Sequence, residues 1–178
     1  EIKKIKKWVE KGNTLITIAR GSSWAINNEL IDENLVESKK DSTHSRKNYV
    51  DASGFIGRER IGGVILKADI DLTHPIAFGY NDNSIPVYKN NNVFINKTKD
   101  DYSSVAVYSD DFHIDGYISE SNRKDYIPGS ASLIVSKIGS GRVVVFADNP
   151  NFRGTWYGTN KLFLNAIFLG DNISVPTD

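Results

Sequence analysis

Apolar positions near the start of the chain recur at the spacing of an α-helix, at Ile2, Ile5, Trp8 and Val9. Gly12 follows and predicts the end of this helix. An apolar run rich in β-branched residues over 14–19 predicts a buried strand, and a second helix is predicted over 24–31. The order helix, strand, turn, helix is typical of an α/β sheet with parallel strands.

The middle of the chain carries a weaker pattern. Residues 32–60 are largely polar and aperiodic, which predicts a mobile surface insertion. A buried strand is predicted over 64–72. We also predict an inserted β-hairpin region from Pro86 to Ser109, because its run of asparagines accepts the backbone angles of a tight turn.

The last part of the chain predicts a second hairpin, with strands over 131–138 and 142–147 joined around Gly139-Ser140-Gly141. An almost entirely apolar helix is predicted over 160–169. The second of these strands ends at Ala147 and runs into a polar loop. Ligands bind at the carboxyl ends of the strands in open α/β sheets. We therefore place the candidate site in the loop that follows Ala147.

Composition narrows the possible partners. A length of 178 residues predicts one domain over 1–178, and a start inside a helical pattern without Met predicts a fragment of a longer protein. The 22 basic residues balance 22 acidic ones, so the chain has no net positive charge to attract a polyanion. We therefore expect no nucleic-acid partner. No apolar run reaches the roughly 20 residues that span a bilayer, so we expect no membrane insertion.

The residue types that hold metals are scarce. The chain contains no cysteine, which excludes a thiol nucleophile, a disulfide and a thiolate metal site within it. The histidines are His44, His74 and His113, and none has a glutamate three positions later. Because a His-x-x-Glu zinc pair is missing, we predict neither a metal site nor a cofactor in this chain.

The predicted ligand-binding residues are Asp148, Asn151, Arg153, Tyr157 and His74. The guanidinium of Arg153 can hold a carboxylate or a phosphate through paired hydrogen bonds. Tyr157 and its neighbour Trp156 can offer a flat apolar surface to a peptide or a sugar. The alternatives are that Arg153 pairs with Asp148, that the aromatic rings only close the end of the sheet, and that His74 is a hydrogen-bonded turn residue.

A serine nucleophile is a further hypothesis. The turn Gly21-Ser22-Ser23 lies between a predicted strand and a predicted helix, as the nucleophile elbow of a hydrolase does. That elbow has the sequence Gly-x-Ser-x-Gly, whereas here Ala25 stands in place of the second glycine. A triad of Ser23, His74 and Asp71 can be written. The alternative is that a serine of this turn caps the helix.

Three stretches, Trp8 to Ile16, Asp71 to Tyr80 and Gly141 to Asn165, carry a resemblance to a known family. They look like the carboxy-terminal domain of large bacterial M14-family zinc carboxypeptidases, a domain that resembles class I glutamine amidotransferases. The resemblance implies a three-layer α/β fold of the amidotransferase-like or flavodoxin-like type. Its mostly parallel sheet would be flanked by helices.

The same resemblance implies the loss of glutaminase chemistry. Ala19 stands where active amidotransferases have the cysteine of Gly-x-Cys-x-Gly, and Asn149-Pro150-Asn151 stands where they have His-Pro-Glu. An alanine cannot attack an amide and an asparagine cannot accept a proton. We therefore expect that this chain is not an enzyme, and that any zinc is held by a catalytic domain of the parent protein.

The function implied by the resemblance is that of a non-catalytic accessory domain in an exported zinc carboxypeptidase-like protein. Its partner would be the upstream catalytic domain of the same chain, and its location would be periplasmic or secreted. One alternative is a module that binds a small ligand such as a peptide or a glycan. Another alternative is a serine hydrolase.

Overall fold

The computed structural model describes residues 1–37, 48–100 and 102–174. The helices and strands of these ranges are α1 (Ile2–Glu10), β1 (Thr14–Ile18), α2 (Arg20–Asn27), α3 (Tyr49–Glu59), β2 (Val64–Ile70), β3 (Ser84–Lys89), β4 (Ile95–Asn96), β5 (Ser104–Gly116), β6 (Ser130–Ile138), β7 (Gly141–Phe146) and α4 (Tyr157–Phe168). Short 3₁₀ or π turns occur at Pro75–Ala77, Asn122–Tyr126, Phe152–Gly154 and Gly170–Asn172. None of the helices in these ranges is long and apolar enough to cross a membrane.

The strands form one seven-stranded sheet in the order β1-β7-β6-β5-β2-β3, with β4 beside β6. Helices cover both faces of this sheet. On one face α1 and α2 contribute Val9 and Ile26 to a hydrophobic cluster, and on the other face α4 contributes Leu162 and Ala166 to a second cluster. The predicted α/β fold of a sheet flanked by helices is confirmed.

Strand direction corrects one part of that prediction, which expected a mostly parallel sheet. Among the described strands only β1 and β7 pair in parallel, and the remaining pairs are antiparallel. The predicted hairpin of β6 and β7 is confirmed, since these strands pair antiparallel and are joined by Gly139 and Ser140 alone. A connection this short permits only antiparallel pairing, because a parallel return needs a crossover of about a dozen residues or more.

Strand β7 is buried along its whole length and separates the two hydrophobic clusters. Val143 and Val145 pack into one cluster, and Val144 and Phe146 pack into the other. This alternation follows from the two-residue period of a strand, and a strand that is buried on both faces has an unbroken apolar sequence. The first residue of the strand, Gly141, must be a glycine, because a side chain there would overlap the carbonyl oxygens of Val9 in α1 and of Asn13.

The predicted insertion at 32–60 is only partly irregular. Residues 49–59 form α3, none of whose residues is buried, and residues 38–47 lie outside the described ranges. The predicted hairpin between Pro86 and Ser109 is wrong in its pairing, because β3 pairs with β2 and β4 pairs with β6. A run of asparagines indicates a turn, but it does not specify the partners of the flanking strands.

Glu33 is a half-buried carboxyl group in the segment that follows α2. This segment is held against β4, because the N–H of Asn96 donates to the carbonyl of Asn34 at 2.9 Å. Burial, and then the negative charges of Asp32 and Asp100, raise the pKa of Glu33 from 4.5 to about 7. The segment therefore carries a carboxyl group that the fold keeps protonated in weak acid.

We expect Glu33→Gln to flatten the pH dependence of stability. Because folding raises the pKa of Glu33 from 4.5 to about 7, the folded chain binds more protons than the unfolded chain between these values. This group therefore lowers the free energy of unfolding as the pH rises through that window. Urea denaturation at about pH 5 and about pH 8 measures the fall. Exposed Glu37→Gln is the control and should keep the wild-type fall, whereas an equal fall in Glu33→Gln contradicts the prediction.

Candidate functional site

The turn from β1 into α2 has the geometry of a nucleophile elbow. Ala19 lies between the two elements with φ 51° and ψ −113°, a conformation that is strained for any residue with a side chain. Its N–H donates to the carbonyl of Phe146 in β7 at 2.8 Å, and its carbonyl accepts the N–H groups of Ser22 and Ser23. A sharp, strained turn from strand to helix is how hydrolases present a nucleophile above a sheet.

The elbow presents backbone donors but no nucleophile. The side chain of Ala19 is a methyl group, which has no atom that can attack a carbonyl. The N–H groups of Arg20 and Gly21 lie in the first turn of α2, before any intrahelical hydrogen bond can form. Such N–H groups favour anionic or carbonyl oxygens. The elbow can therefore bind and polarise an oxygen atom without forming a covalent bond to it.

The serine hypothesis does not fit this turn. Ser22 is buried and donates to the carbonyl of Phe146 at 2.7 Å, so it holds α2 to β7. Ser23 lies within α2, beyond the elbow position. The other triad candidates have partners elsewhere: Asp71 accepts from Thr73, and Nδ1 of His74 accepts the N–H of Ile76. His74 is thus the turn residue of the alternative interpretation, and burial lowers the pKa of its imidazole.

A buried polar network lies directly after β7. Asp148 is 3% exposed and is 3.0 Å from Nζ of the fully buried Lys89, whose ammonium also donates to the carbonyl of Val93 at 2.6 Å. The hydroxyl of Tyr108 donates to the other carboxylate oxygen of Asp148, and Ser132 lies 3.5 Å from that oxygen. The described residues contain no buried side-chain polar atom without a hydrogen-bond partner. The network is therefore fully satisfied.

Burial acts on the protonation of this network in two directions. It lowers the pKa of the Lys89 ammonium, and the neighbouring Asp148 carboxylate opposes that shift. It raises the pKa of the Tyr108 hydroxyl, and the charge of Asp148 adds to that shift. Tyr108 therefore stays protonated and donates to Asp148 throughout the physiological pH range.

The predicted ligand-binding residues are not brought together as a pocket. The carboxylate of Asp148 is buried and pairs with Lys89. The alternative interpretation, in which Asp148 pairs with Arg153, is therefore wrong. Arg153 is exposed, has φ 52° and lies 5.3 Å from the ring of Phe152, while Tyr157 is 75% exposed. The N–H of Asn151 donates to the side chain of Asn149 at 3.0 Å. The ligand-binding roles of these residues stay predictions.

Aromatic rings cover the outer edge of β3. The rings of Tyr88 and Phe152 are 4.1 Å apart, and those of Tyr88 and Trp156 are 5.7 Å apart. The indole N–H of Trp156 donates to the carbonyl of Pro86 at 3.2 Å. One alternative interpretation was that Trp156 and Tyr157 close the end of the sheet. The contacts of Trp156 fit it, whereas Tyr157 is 75% exposed.

Sequence reasoning missed Lys89, although a signal was present. Ile85, Val87 and Lys89 alternate along β3 and are all buried, so the lysine shares the inward face of the strand. A lysine at an inward strand position needs a buried partner. No group of at least three His, Cys, Asp or Glu side chains that could hold a metal ion occurs in the part of the chain that the structure describes.

Comparison with known proteins finds similarity in structure only. No family model and no curated protein sequence matches the chain. A protein of Thermoplasma acidophilum named as a subunit of GMP synthase matches 96% of this chain and 64% of its own, at 14% identity and a TM-score of 0.53. PurLQS of Thermotoga maritima matches 93% of this chain and 66% of its own, at 15% identity and a TM-score of 0.51. The chain thus spans somewhat less than two thirds of the length of these structures.

These matches show the fold, which is α/β and like that of class I glutamine amidotransferases. They overturn the resemblance to M14 carboxypeptidases, because the matching structures are a GMP synthase subunit and PurLQS.

Three further expectations rested on that resemblance and are corrected with it. They are the accessory-domain function, the upstream catalytic domain as partner, and the periplasmic or secreted location. The expectation of a chain that is not an enzyme is also contradicted, because a matching fold carries the name of an enzyme subunit. The expected lack of a cofactor stays a prediction.

We expect Lys89→Met to destabilise the fold strongly. The change leaves Asp148 buried without its ion-pair partner, and an uncompensated buried charge costs about 3–5 kcal/mol. Urea denaturation measures the free energy of unfolding. Adding Asp148→Asn should recover part of the loss, because it removes the orphaned charge.

The matched control for Lys89→Met is Lys67→Met. Lys67 is 2.6 Å from Asp111, whose side chain is 75% exposed. This change should leave the free energy of unfolding nearly unchanged, because water screens an exposed pair. If both variants lost the same free energy of unfolding, burial of the Lys89–Asp148 pair would not account for the destabilisation, and the prediction would be wrong.

We expect Ala19→Gly to stabilise the chain. Glycine adopts positive φ without strain, and the relief at Ala19, whose φ is 51°, should add about 1 kcal/mol to the free energy of unfolding. Thermal and urea denaturation measure the gain. Ala25→Gly in α2 is the control, and it should lose about 1 kcal/mol or more because glycine weakens a helix. A loss in both variants means that Ala19 is not strained.

Proposed function

We propose that this chain supplies the elbow of a glutamine amidotransferase-type enzyme, and that the elbow binds the carboxamide of a glutamine-like substrate. The observation that carries the proposal is the strained conformation of Ala19, which lies at the strand-to-helix turn where a nucleophile elbow is built. The similarity of the fold to a GMP synthase subunit and to PurLQS supports the same class of enzyme.

The chemistry of amide cleavage explains what the elbow can contribute. An amide under attack develops negative charge on its oxygen, and backbone N–H groups stabilise that charge in an oxyanion hole. In elbow enzymes one donor is the N–H of the residue after the nucleophile, which here is Arg20. The partial positive charge at the first turn of α2 adds to this stabilisation. The elbow therefore favours the oxygen of a carboxamide, and it favours the tetrahedral oxyanion even more.

The attacking atom has a separate origin. The chain has no cysteine, and Ala19 occupies the elbow position itself. A thioester on a cysteine of this chain is therefore excluded. In the proposed enzyme these residues recognise and polarise the amide, and the nucleophile is water or a group from another part of the enzyme.

The proposal is tested by Ala19→Cys, which puts a thiol at the elbow. A thiol at a helix N-terminus has a lowered pKa and reacts as a thiolate. We expect a chloroketone analogue of glutamine to alkylate this variant at least about tenfold faster than Ser23→Cys, whose thiol lies further along the same helix. Mass spectrometry measures both rates, and excess L-glutamine should slow only the reaction of Ala19→Cys.

Two outcomes would reject the proposed function. Equal alkylation of both variants would show that the elbow does not activate a group placed at position 19. Fast alkylation of Ala19→Cys without protection by L-glutamine would show an activated elbow that does not recognise the substrate. Circular dichroism of both variants establishes that each is folded before the rates are compared.

A further inference from the structure

The outer face of α1 carries a row of lysines. Lys3, Lys7 and Lys11 follow one another at intervals of four residues and are exposed, and Lys4 lies beside them. Residues four apart lie on the same face of a helix. Val9, on the opposite side of α1, is fully buried in the hydrophobic cluster that it shares with α2. The four lysines therefore point away from the sheet, and we call them the basic stripe.

The basic stripe is not arranged to stabilise the helix. Lysines four residues apart repel each other and weaken a helix. Lys3 and Lys4 also lie in the first turn, where the helix dipole favours anions, and this turn contains no acidic residue. The single acidic residue of α1, Glu10, lies at its last position. The stripe is therefore a concentration of positive charge that the helix itself does not need.

Ion pairs neutralise little of this charge. Lys4 lies 3.6 Å from Glu1, but the two side chains are 80% and 88% exposed, so water screens the pair. In the part of the chain that the structure describes, the other three lysines of the stripe form no ion pair. The charge of the basic stripe is thus available to an external anionic partner.

A tryptophan borders the basic stripe. Trp8 lies four residues after Lys4 and is 47% exposed. Trp24 of α2, on the same side of the sheet, is 40% exposed. Indole rings have an apolar body and a polar N–H, and they collect at the boundary between lipid and water. Lysines beside an exposed indole are typical of helices that rest on a membrane surface.

We propose that the basic stripe docks this protein onto the surface of a membrane that contains anionic lipids, with Trp8 at the boundary between headgroups and water. Near such a surface each lysine strengthens binding about fivefold, so four lysines on one face attract it although the chain has no net charge. The apolar side of α1 stays in the protein core. The helix therefore rests on the headgroups and does not enter the hydrocarbon.

A nucleic acid carries the same sign of charge but fits these residues less well. The stripe contains lysines alone, without the arginine, asparagine or glutamine side chains that read base edges. It also lies on the convex outer side of a helix, where a planar surface can contact all four lysines at once. The stripe precedes β1 and the elbow follows it, so the docking and the proposed function involve different residues.

Sedimentation with lipid vesicles tests the docking. We expect the chain to bind vesicles of phosphatidylcholine with about 30% phosphatidylserine at least about tenfold more tightly than vesicles of phosphatidylcholine alone. Sodium chloride at about 1 M, where the Debye length is about 3 Å, should release the chain. Equal binding to both kinds of vesicle, binding to neither, or binding that resists salt overturns the proposal.

Removal of the stripe is compared with removal of other exposed lysines. At about fivefold per lysine, Lys3→Gln/Lys7→Gln should weaken binding to the phosphatidylserine vesicles roughly 25-fold. The control Lys97→Gln/Lys99→Gln removes two exposed lysines after β4 and changes the net charge by the same amount. It should bind like the parent chain. Equal losses in the two variants, or no loss in the first, overturn the assignment to the basic stripe.

A dye on a single cysteine locates the docking face. Because the chain contains no cysteine, Trp8→Cys carries one environment-sensitive dye, whose emission should brighten and shift to shorter wavelength on phosphatidylserine vesicles. The same dye at Lys161→Cys, in α4 on the other face of the sheet, should not respond. Circular dichroism establishes that both variants are folded. A response at position 161, or none at position 8, overturns the proposal.

A short DNA duplex separates a lipid surface from polyanions in general. We expect no saturable binding of the duplex, measured by fluorescence anisotropy, at protein concentrations that saturate the phosphatidylserine vesicles. Tight binding of the duplex that Lys3→Gln/Lys7→Gln weakens as much as it weakens vesicle binding would assign the stripe to nucleic acid. That result overturns the proposal of a membrane.

Discussion

The parallel pairing of β1 with β7 is the contact on which the elbow and the candidate site depend. It brings the carboxyl ends of both strands to the same edge of the sheet. The hydrogen bond from Ala19 to Phe146 closes this pairing and fixes the point at which the chain turns into α2. Because β7 is buried on both faces, it cannot shift to relieve the turn. The strain at Ala19 is therefore held in place by the hydrogen bonds of the turn together with the buried strand to which they attach it.

The Lys89–Asp148 pair shapes the other side of the site. In the order of the sheet, β6, β5 and β2 lie between β7 and β3. Lys89 at the end of β3 nevertheless contacts Asp148, which lies two residues after the end of β7. The sheet must curl strongly for these ends to meet. A buried ion pair adds little net stability over apolar packing, but it tolerates few alternative arrangements. The pair therefore links the end of β3 to the loop after β7, and Tyr108 of β5 donates a hydrogen bond to the same Asp148.

The sequence predicts the elements that local pattern determines. The helix before β1, strand β1 and the buried strand β7 follow from the spacing of apolar residues along the chain. Comparison with the Gly-x-Cys-x-Gly motif places Ala19 at the elbow. Strand direction is predictable where a tight turn joins two strands, as Gly139 and Ser140 join β6 to β7. Elsewhere it is not predictable from the pattern, because the alternation along a strand such as β5 is the same for either direction. A single lysine in a short strand, Lys89, gives a signal only when the face that it occupies is considered. Sequence proximity suggests Arg153 as the partner of Asp148, whereas the curl of the sheet supplies a distant cation.

The unequal edges of the sheet limit how copies of this fold can associate. Growth of a fibre by backbone pairing needs two receptive edges per molecule, one for each neighbour. In the ranges that the structure describes, Pro86 and Trp156 occupy one edge and only β1 remains receptive. Backbone pairing at the edge of β3 is therefore interrupted at Pro86. The unequal edges of the described sheet disfavour open-ended growth by strand addition.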